Sequence, residues 1–404
     1  MAQHKKFRSS RSCRSAKQAT ASMETCDARS VLQLLRSRER DPAEVALAEF
    51  SDFRLKAALD ILHSRGLIVS ASPTNFKIGR RFPLPRINAT YGHVIGVDIG
   101  GSNLRIALAD LHGRIVAKWT ASTRSTSSPE MVINQICKGV HHLLRQAGIP
   151  RGSLLAVAAG APGVTNKNTG VVFATSYLKG WKNVPLGRLL GSALRVPALV
   201  ENDVKLAAIG EHWEGIARGV PDFVFLAIGT GIAAGIFVNG QLVHGPDWVA
   251  GEIGYLIVPG TPDAPAKRGS PGALESVIGG EGIRQYWLRS HDSKNAGHLT
   301  ATGIFYHALA GDRRSRTILL RSARILAYAI YNISTVLNSS LFVLGGGVGT
   351  NGPLLAETRR ILEPYTQPSQ PKLVTSSLGS DAQLVGAIRL ALDKAEARID
   401  LQLQ

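Results

Sequence analysis

One carboxylate and three glycines lie close together in this 404-residue chain, in the run Val94-Ile-Gly-Val-Asp-Ile-Gly-Gly-Ser-Asn103. Asp98 ends an apolar run, where a carboxylate can position Mg²⁺ through water. Gly100 and Gly101 follow and let backbone N–H groups approach an anion closely. The residue types and their spacing therefore predict a hairpin that binds phosphate, although the glycines would also fit a simple tight turn.

The elements that would position this hairpin alternate between strands and helices along the chain. Leu104 and Ile106 alternate with Arg105 and Ala107, the period-2 pattern of the hairpin's return strand. The whole pattern predicts an α/β or α+β architecture, in two lobes with a cleft between them. Buried strands are expected at 154–159, 197–200, 223–228, 235–238 and 341–344, and a long amphipathic helix at 318–336.

The overall composition is that of a soluble globular protein, with 44% apolar residues and a mean hydropathy of +0.05. No apolar run reaches the roughly 18 residues that a membrane span needs, and the start of the chain lacks the apolar segment of a secretory signal. Cys13, Cys26 and Cys137 show neither paired nor metal-ligand spacing. We therefore expect a cytoplasmic protein without a disulfide framework and without a membrane partner.

The net charge of +18 is unevenly distributed. Residues 1–90 hold 17 Lys and Arg against 8 Asp and Glu, a net charge of +9, and the other 314 residues supply the remaining +9. The front segment is thus more than three times as charge-dense as the rest. Such a segment favours an anionic partner such as DNA, and a solvated basic tail is the alternative.

Residues 1–27 are predicted to be a disordered basic arm, and residues 28–92 a winged helix-turn-helix domain. Three short helices are expected, the second opened by Pro42 and the third capped by Ser51-Asp52, before a strand at 67–69 and a basic return at 76–81. Because the turn before the third helix lacks a glycine, a helical bundle with no DNA role remains open. The candidate DNA-binding residues are Arg54 and Lys56 on the exposed face of the recognition helix, and Lys77, Arg80 and Arg81 on the wing.

Six motifs rich in glycine and acidic residues follow one another along the chain. They are Asp98-Ile-Gly-Gly-Ser-Asn103; Gly160-Ala-Pro-Gly163 with Thr169-Gly170 and Gly180-Trp181; Glu201-Asn-Asp203; Gly229-Thr-Gly-Ile-Ala-Ala-Gly235; Gly251-Glu-Ile-Gly254 with Leu274-Glu275; and Gly345-Gly-Gly-Val348. In this order, and with the front domain, they resemble the ROK family (repressors, open reading frames and kinases), specifically its winged-helix transcriptional regulators. The resemblance covers about residues 28–395.

The resemblance implies a two-lobed actin/hexokinase-like (ribonuclease H-like) fold that closes over nucleotide and sugar. The first lobe would span residues 93–203, completed by a C-terminal helix at about 381–400, and the second lobe residues 204–380. Family members are sugar kinases without the front domain or sugar-responsive repressors with it. It also implies a homodimer or homotetramer, DNA and a sugar or sugar derivative as partners, and a site compatible with Mg-ATP.

The resemblance also assigns roles to individual residues. It makes Asp203 the base that would take a proton from a sugar hydroxyl, although an Asn-Asp pair after a strand is also a common turn or helix cap. The nucleotide side comprises Asp98, Gly100, Gly101, Ser102, Asn103, Gly229, Thr230, Gly231, Gly346 and Gly347. The sugar side comprises Asn202, Glu252, Glu275, Gly163, Tyr255 and Tyr177.

Several residues depart from the family's sugar side. Tyr255 occupies the position of a histidine that touches sugar and ligates zinc, and Tyr177 that of an asparagine. The three zinc cysteines fall at Ala266, Arg268 and Ala273, so structural zinc is predicted to be absent. We expect a pocket that is smaller, more aromatic or suited to a different ligand, and stacking of tyrosine on a sugar face is a further option; alternatively, the tyrosines only pack the loop left without zinc.

The sequence favours a sugar-responsive DNA-binding transcriptional regulator with a kinase-like sensing domain. An ATP-dependent sugar kinase resembling glucokinase, with or without a second function, is the alternative. A purely structural or interaction protein is the third interpretation.

Overall fold

The computed structural model describes residues 25–36, 50–69, 85–123, 128–174, 178, 180–263, 270–289, 299–365 and 370–403. In the front region, two helices lie against a short antiparallel pair of strands, in which Ile68 faces Ile87. The second predicted helix and the basic return at 76–81 lie outside the described residues. The front elements are α1 (25–36), α2 (Asp52–Ser64), β1 (Ile68–Val69) and β2 (Arg86–Ile87).

The first lobe is built on a five-stranded sheet whose core is the predicted hairpin, an antiparallel pair of strands with a turn at 100–102. Its elements are β3 (His93–Ile99), β4 (Asn103–Asp110), β5 (Ile115–Ser122), α3 (Pro129–Gln146), β6 (Leu154–Ala161), β7 (Val164–Asn166), β8 (Val171–Ala174), β9 (Lys182–Val184), α4 (Leu186–Leu194) and β10 (Ala198–Asn202). The strand order is β10-β6-β3-β4-β5, with β6 and β10 parallel to β3, while β7, β8 and β9 form a separate small sheet.

The second lobe repeats this strand arrangement. Helix α5 (Asp203–Trp213) leads from β10 into this lobe, and α12 (Ala382–Gln402) returns from it to the first lobe. The elements between them are β11 (Phe223–Ile228), β12 (Ile232–Val238), β13 (Gln241–Leu242), α6 (Glu275–Ile278), α7 (Gly280–Arg289), α8 (Ala301–Leu309), α9 (Arg313–Leu337), β14 (Leu341–Gly345), α10 (Gly346–Gly349), α11 (Gly352–Leu362) and β15 (Lys372–Thr375). The sheet order is β13-β12-β11-β14-β15, an antiparallel hairpin followed by parallel neighbours, as in the first lobe. The α/β class, the two lobes and the predicted strands and long helix are therefore confirmed.

The C-terminal helix α12 covers one face of the first lobe's sheet. Leu384 and Ile388 lie in one apolar cluster with Ala107 and Ala109 of β4, so both faces of this strand are buried. The contact with α5 is especially close: a side chain at Gly386 would collide with the Leu206 carbonyl oxygen. The sheet's other face packs on α3 and α4.

The same apolar cluster includes the front region. Val31 and Leu32 of α1, and Leu59 and Leu62 of α2, are buried in one cluster with α12. Asp400 of α12 accepts hydrogen bonds from Arg36 and Gln33 of α1, and Arg65 donates to the carbonyl oxygen of Gln402. The front region is thus packed onto the helix that also completes the first lobe. Residues 25–27, predicted to end a disordered arm, are part of helix α1.

Candidate functional site

A cleft of about 610 Å³ lies where three glycine-containing turns meet. The β3–β4 turn forms one wall, the start of α10 the second, and the residues that lead into α12 the third. The backbone at Gly346 has φ 78° and passes so close to Ile228 that only glycine fits. The lining residues are Asp98, Gly100, Gly101, Ser102, Asn103, Arg105, Gly346, Gly347, Thr350, Gly379, Ser380 and Gln383.

The two predicted phosphate turns are built alike, and each uses one of its own N–H groups. The Gly100 N–H donates to the Asn103 carbonyl oxygen at 2.8 Å, and the Gly229 N–H donates to that of Gly231 at 2.9 Å. The expectation that both N–H groups face a phosphate is thereby corrected, because they close their turns. In the part of the chain that the structure describes, the Gly101 and Ser102 N–H groups have no protein acceptor and line the cleft.

The second turn is held from behind by helix α7. The N–H of Gly280 donates to the Gly229 carbonyl oxygen at 2.8 Å, and that of Glu281 to the Thr230 carbonyl oxygen at 3.4 Å. These carbonyl groups therefore point away from an anion in front of the turn. Gly229, Thr230 and Gly231 are not among the residues that line the 610 Å³ cleft.

Asp98 is buried and clamped by a neighbouring arginine. Arg105 donates to Asp98 Oδ2 from Nε at 2.9 Å and from Nη2 at 2.6 Å. Burial raises the Asp98 pKa, and the guanidinium opposes that rise. The same guanidinium donates to the carbonyl oxygen of Ser380 and lies 3.8 Å from Asp381, just before α12. Arg105 thus joins the β3–β4 hairpin to the start of α12.

Asp203 is the first residue of α5, directly after β10. Loss of hydration raises its pKa to about 7, and the charges of Asp98 and Glu252 add to the rise. The N–H of Val204 donates to its Oδ1 and opposes the shift. A carboxyl with a pKa near 7 exchanges its proton readily at neutral pH, as a general base must.

Asn202 is the N-cap of α5. Its Oδ1 accepts from the Lys205 N–H at 3.0 Å, and its Nδ2 donates to the Gly163 carbonyl oxygen at 3.1 Å. Capping by asparagine satisfies a helix donor that would otherwise lack a partner. The cap interpretation is therefore correct for Asn202, which leaves one amide hydrogen for a ligand hydroxyl.

Lys205 was not singled out in the sequence, yet it occupies the centre of this region. Its side chain is buried, and its Nζ donates to the carbonyl oxygen of Trp248 at 2.8 Å. Burial lowers the Lys205 pKa, while Glu201 and Glu252 raise it. Trp248 has φ 66°, a left-handed conformation that is rare for a bulky residue and that the lysine holds in place.

The carboxylates assigned to the sugar lie on the second lobe. Burial raises the Glu252 pKa, opposed by Lys205 and reinforced by Glu275. Glu275 Oε2 accepts from the Ile232 N–H at 3.2 Å. The loop before Glu252 is anchored to β12, because the Ala234 N–H donates to the Gly251 carbonyl oxygen at 2.8 Å. Asp203 and Glu252 are close enough to influence each other's charge, so the two lobes meet here.

The structure describes only one of the two tyrosines assigned to the sugar side. Tyr255 is 62% exposed, so most of its side chain is open to solvent. The loop beside it, residues 264–269, lies outside the described residues. Tyr177, Ala266 and Arg268 lie outside the described residues, and Ala273 is buried. Across the described ranges, no three His, Cys, Asp or Glu side chains are grouped to hold a metal ion.

The candidate DNA-binding residues are only partly described. Lys56 is exposed on α2, whereas Arg54 forms a bidentate pair with Asp27 of α1, with its Nε 2.7 Å from Oδ2. Arg54 therefore joins two helices, and its guanidinium is not free as the sequence suggested. Lys77, Arg80 and Arg81 lie outside the described residues. No helix in the described ranges is long and apolar enough to cross a membrane.

The cleft contains residues that sequence reasoning missed, namely Arg105, Thr350, Gly379, Ser380 and Gln383. Arg105 was assigned only to a strand pattern, and its clamp on Asp98 depends on a side-chain direction that a pattern does not give. In the sequence, Gly379 is the residue that could have indicated a turn before α12. Its φ of 55° allows the turn that places Ser380 in the cleft.

The comparisons with known proteins agree with this geometry. A glucokinase of Halalkalibacterium halodurans is 31% identical over 72% of this chain and 92% of its own length. A xylose repressor of Caldicellulosiruptor bescii is 25% identical over 82% of this chain and 86% of its own. A ROK family glucokinase from Streptomyces griseus, solved with glucose and AMPPNP, is 26% identical over 75% of this chain and all of its own, with a TM-score of 0.61.

A solved ROK family transcriptional regulator, a homologue of the E. coli MLC protein, shares the fold over 94% of this chain and 99% of its own, with a TM-score of 0.76 at 20% identity. The ROK family model matches residues 94–394, which cover both lobes and most of α12. This chain therefore belongs to the ROK family.

Proposed function

We propose that this protein is a sugar-responsive, DNA-binding transcriptional regulator. The observation that carries the proposal is the position of α12. Its first turn adjoins the cleft through Arg105 and Asp381, and its last turn is bonded to α1 through Asp400 and Arg36. At about 1.5 Å per residue, its 21 residues span roughly 30 Å.

Ligand binding between the lobes would act through this helix. A sugar held by Asp203 on one side and Glu252 on the other favours closure, because it binds the closed arrangement better than the open one. Closure shifts the second lobe against α5 and α12, and α12 shares its apolar core with α1 and α2. The orientation of the front region therefore changes with the ligand.

Two further observations support a regulator. The front region adds a net charge of +9 to the ROK domain. The xylose repressors match 82% of this chain, whereas the H. halodurans glucokinase matches 72%. A winged helix-turn-helix in a homodimer on a palindrome would place two such regions on one duplex.

A gel-shift titration of the full chain with its own upstream DNA tests this function. We expect a salt-sensitive, sequence-selective shift that a sugar or sugar derivative alters, and about a tenfold loss of affinity in Lys56→Gln. Lys394→Gln on α12 is the matched control and should bind like the wild type. The absence of a selective shift from the intact protein rejects the proposal.

The second candidate is an ATP-dependent sugar kinase. The Asp203 pKa of about 7 and the N–H groups of Gly101 and Ser102 in the cleft favour it. Gly101 and Ser102 would hold the phosphates of Mg-ATP, whose γ-phosphoryl group is the one transferred. Asp203 would accept the proton of the sugar hydroxyl.

An ADP-release assay over hexoses and amino sugars discriminates the two candidates. Turnover that Asp203→Asn abolishes supports a kinase. If no sugar gives turnover but a sugar shifts the thermal unfolding curve, the protein binds the sugar without phosphorylating it. That result supports the regulator.

A further inference from the structure

The positive charge outside the front region is confined to one part of the chain. Residues 111–200 contain eleven Lys and Arg and one acidic residue, Glu130, for a net charge of +10. Residues 201–404 contain eighteen basic and eighteen acidic residues and are neutral. Since the two lobes share one strand arrangement, the fold itself does not require this charge.

The structure gathers several of these cations on the outer helices of the first lobe. Helix α3 buries Ile136, Val140 and Leu143 against the sheet and turns Lys138 and Arg145 to solvent. A surface cleft of about 590 Å³ lies beside them. Its lining residues are Lys138, His141, Leu144, Arg145, Ile149 and Arg151.

Helix α4 extends this surface. Arg151, in the turn that follows α3, donates to the carbonyl oxygen of Ala193 near the end of α4, which links this turn to α4. Arg188 of α4 and Arg195, directly after α4, are exposed. We name the exposed cations Lys138, Arg145, Arg151, Arg188 and Arg195 the outer basic face.

The cations of the outer basic face have no carboxylate within 4 Å among the residues that the structure describes. Some cations elsewhere in the described structure are paired, among them Arg105 with Asp98, Lys118 with Asp381 and Arg360 with Glu357. Clustered like charges repel one another, so folding gains nothing from this arrangement. An external polyanion would neutralise it.

We propose that the outer basic face is a second DNA-contact surface, which binds the phosphate backbone of a duplex without reading its sequence. The charge is spread over two helices and a turn, as backbone contacts require, rather than focused on one group. Among the described residues of α3, the only large apolar side chain exposed is Met131, at 62%, so the aromatic anchors of a protein interface are missing.

This surface lies on the opposite side of the sheet from the front region. Helices α3 and α4 pack on one face of the sheet, whereas α12 and the front helices pack on the other. A duplex on the outer basic face is therefore either a flank that bends around the first lobe or a separate DNA segment. The proposal does not depend on the front region being a sequence-specific reader.

Fluorescence anisotropy of the full chain with a 30-bp duplex of random sequence, over a range of salt concentrations, tests the proposal. In Lys138→Gln/Arg145→Gln/Arg151→Gln, we expect about a tenfold weaker affinity and a slope of log K against log salt that is smaller by about 2–3. The matched control is Arg313→Gln/Arg314→Gln/Arg316→Gln, which removes the same charge from exposed positions of the second lobe. It should change the slope by less than about 1.

Thermal unfolding of both triple variants first establishes that each is folded. Equal binding by the two variants overturns the proposal. A loss of binding to vesicles containing phosphatidylserine, with random DNA unaffected, assigns the face to a membrane and also overturns it. The selective shift with upstream DNA, and its loss in Lys56→Gln, reports on the front region separately, so each proposal can fail alone.

Discussion

The two lobes share one strand order but differ in what surrounds the sheet. The first lobe carries Asp203 at the end of β10, a net positive outer surface, and the only packing of the front region onto a lobe in the described structure. The second lobe, residues 204–380, contains fifteen basic and twelve acidic residues, a net charge of +3, and supplies Glu252 and Glu275. The difference indicates a division of labour. Under the proposed function, the second lobe would recognise the ligand, and the first lobe would relay its presence to the front region.

Substitution at the contact between helices α5 and α12 should cause the largest loss of stability. Gly386→Val forces a side chain into the Leu206 carbonyl group, and the helices can separate only by opening the shared apolar cluster. We expect a loss of more than about 4 kcal/mol of unfolding free energy, measured by urea denaturation. The control in the second lobe is Gly352→Ala, where an added Cβ meets nothing within 4 Å. Equal tolerance of both changes would contradict the close contact.

Replacement of Arg105 should lower the free energy of unfolding by about 3 kcal/mol, because Asp98 is left buried without its partner. Arg105→Met should also raise the Asp98 pKa further, since the guanidinium is what opposes the effect of burial. The loss of stability should therefore be larger at pH 8 than at pH 5. The double variant Asp98→Asn/Arg105→Met should recover part of it, and a loss independent of pH would argue against a charge effect.

Lys205→Met should weaken the hold of α5 on the 244–252 loop. The change removes the hydrogen bond to the Trp248 carbonyl oxygen and leaves that partly buried acceptor without its partner, at a cost of about 1–3 kcal/mol. Hydrogen exchange should speed up in the 244–252 loop and stay unchanged in β14. The Glu252 pKa should rise, because the ammonium that lowers it is gone. Unchanged exchange in the loop would show that Lys205 does not position Trp248.

The smallest expected effect is an increase in thermal stability. The Asp203 pKa of about 7 lies above its ordinary value near 3.8, so the carboxyl destabilises the fold progressively as pH rises from about 4 to 7. Asp203→Asn should therefore raise the Tm by about 2–4 °C at pH 8. This gain should vanish near pH 4, where both proteins are uncharged at this position. Asp263→Asn, at an exposed residue, is the control.

Patterns of single elements predicted the fold well. The β3–β4 hairpin, the strands at 223–228 and 341–344, and the long helix depend on local periodicity and formed as expected. The burial of Ala107 could not be predicted in the same way, because the helix that covers it lies almost 280 residues later in the chain. A strand pattern does not show which distant element packs on its second face.

The candidate site was predicted in outline but not in its bonds. Seven lining residues of the cleft were named from the sequence, yet Arg105 and the turn before α12 were not. The Gly100 N–H was assigned to a phosphate, although it closes its own turn. Arg54 was assigned to DNA from its place on the exposed face of the predicted recognition helix, but it pairs with Asp27, which was predicted to lie in a disordered arm. Glycine content indicates where backbone can approach a ligand, but the direction of each N–H depends on the finished turn.

The position of α12 also constrains how the chain is made. Helix α12 follows β3 by almost 290 residues, so the first lobe's sheet emerges from the ribosome with one apolar face uncovered. At a synthesis rate of about 5–20 residues per second, that face stays uncovered for roughly 15–60 s until α12 is made. The front region waits with it, because it packs on the same helix. Nascent chains of this protein should therefore need a chaperone during that interval, and the front region is among the last parts of the molecule to acquire its final packing.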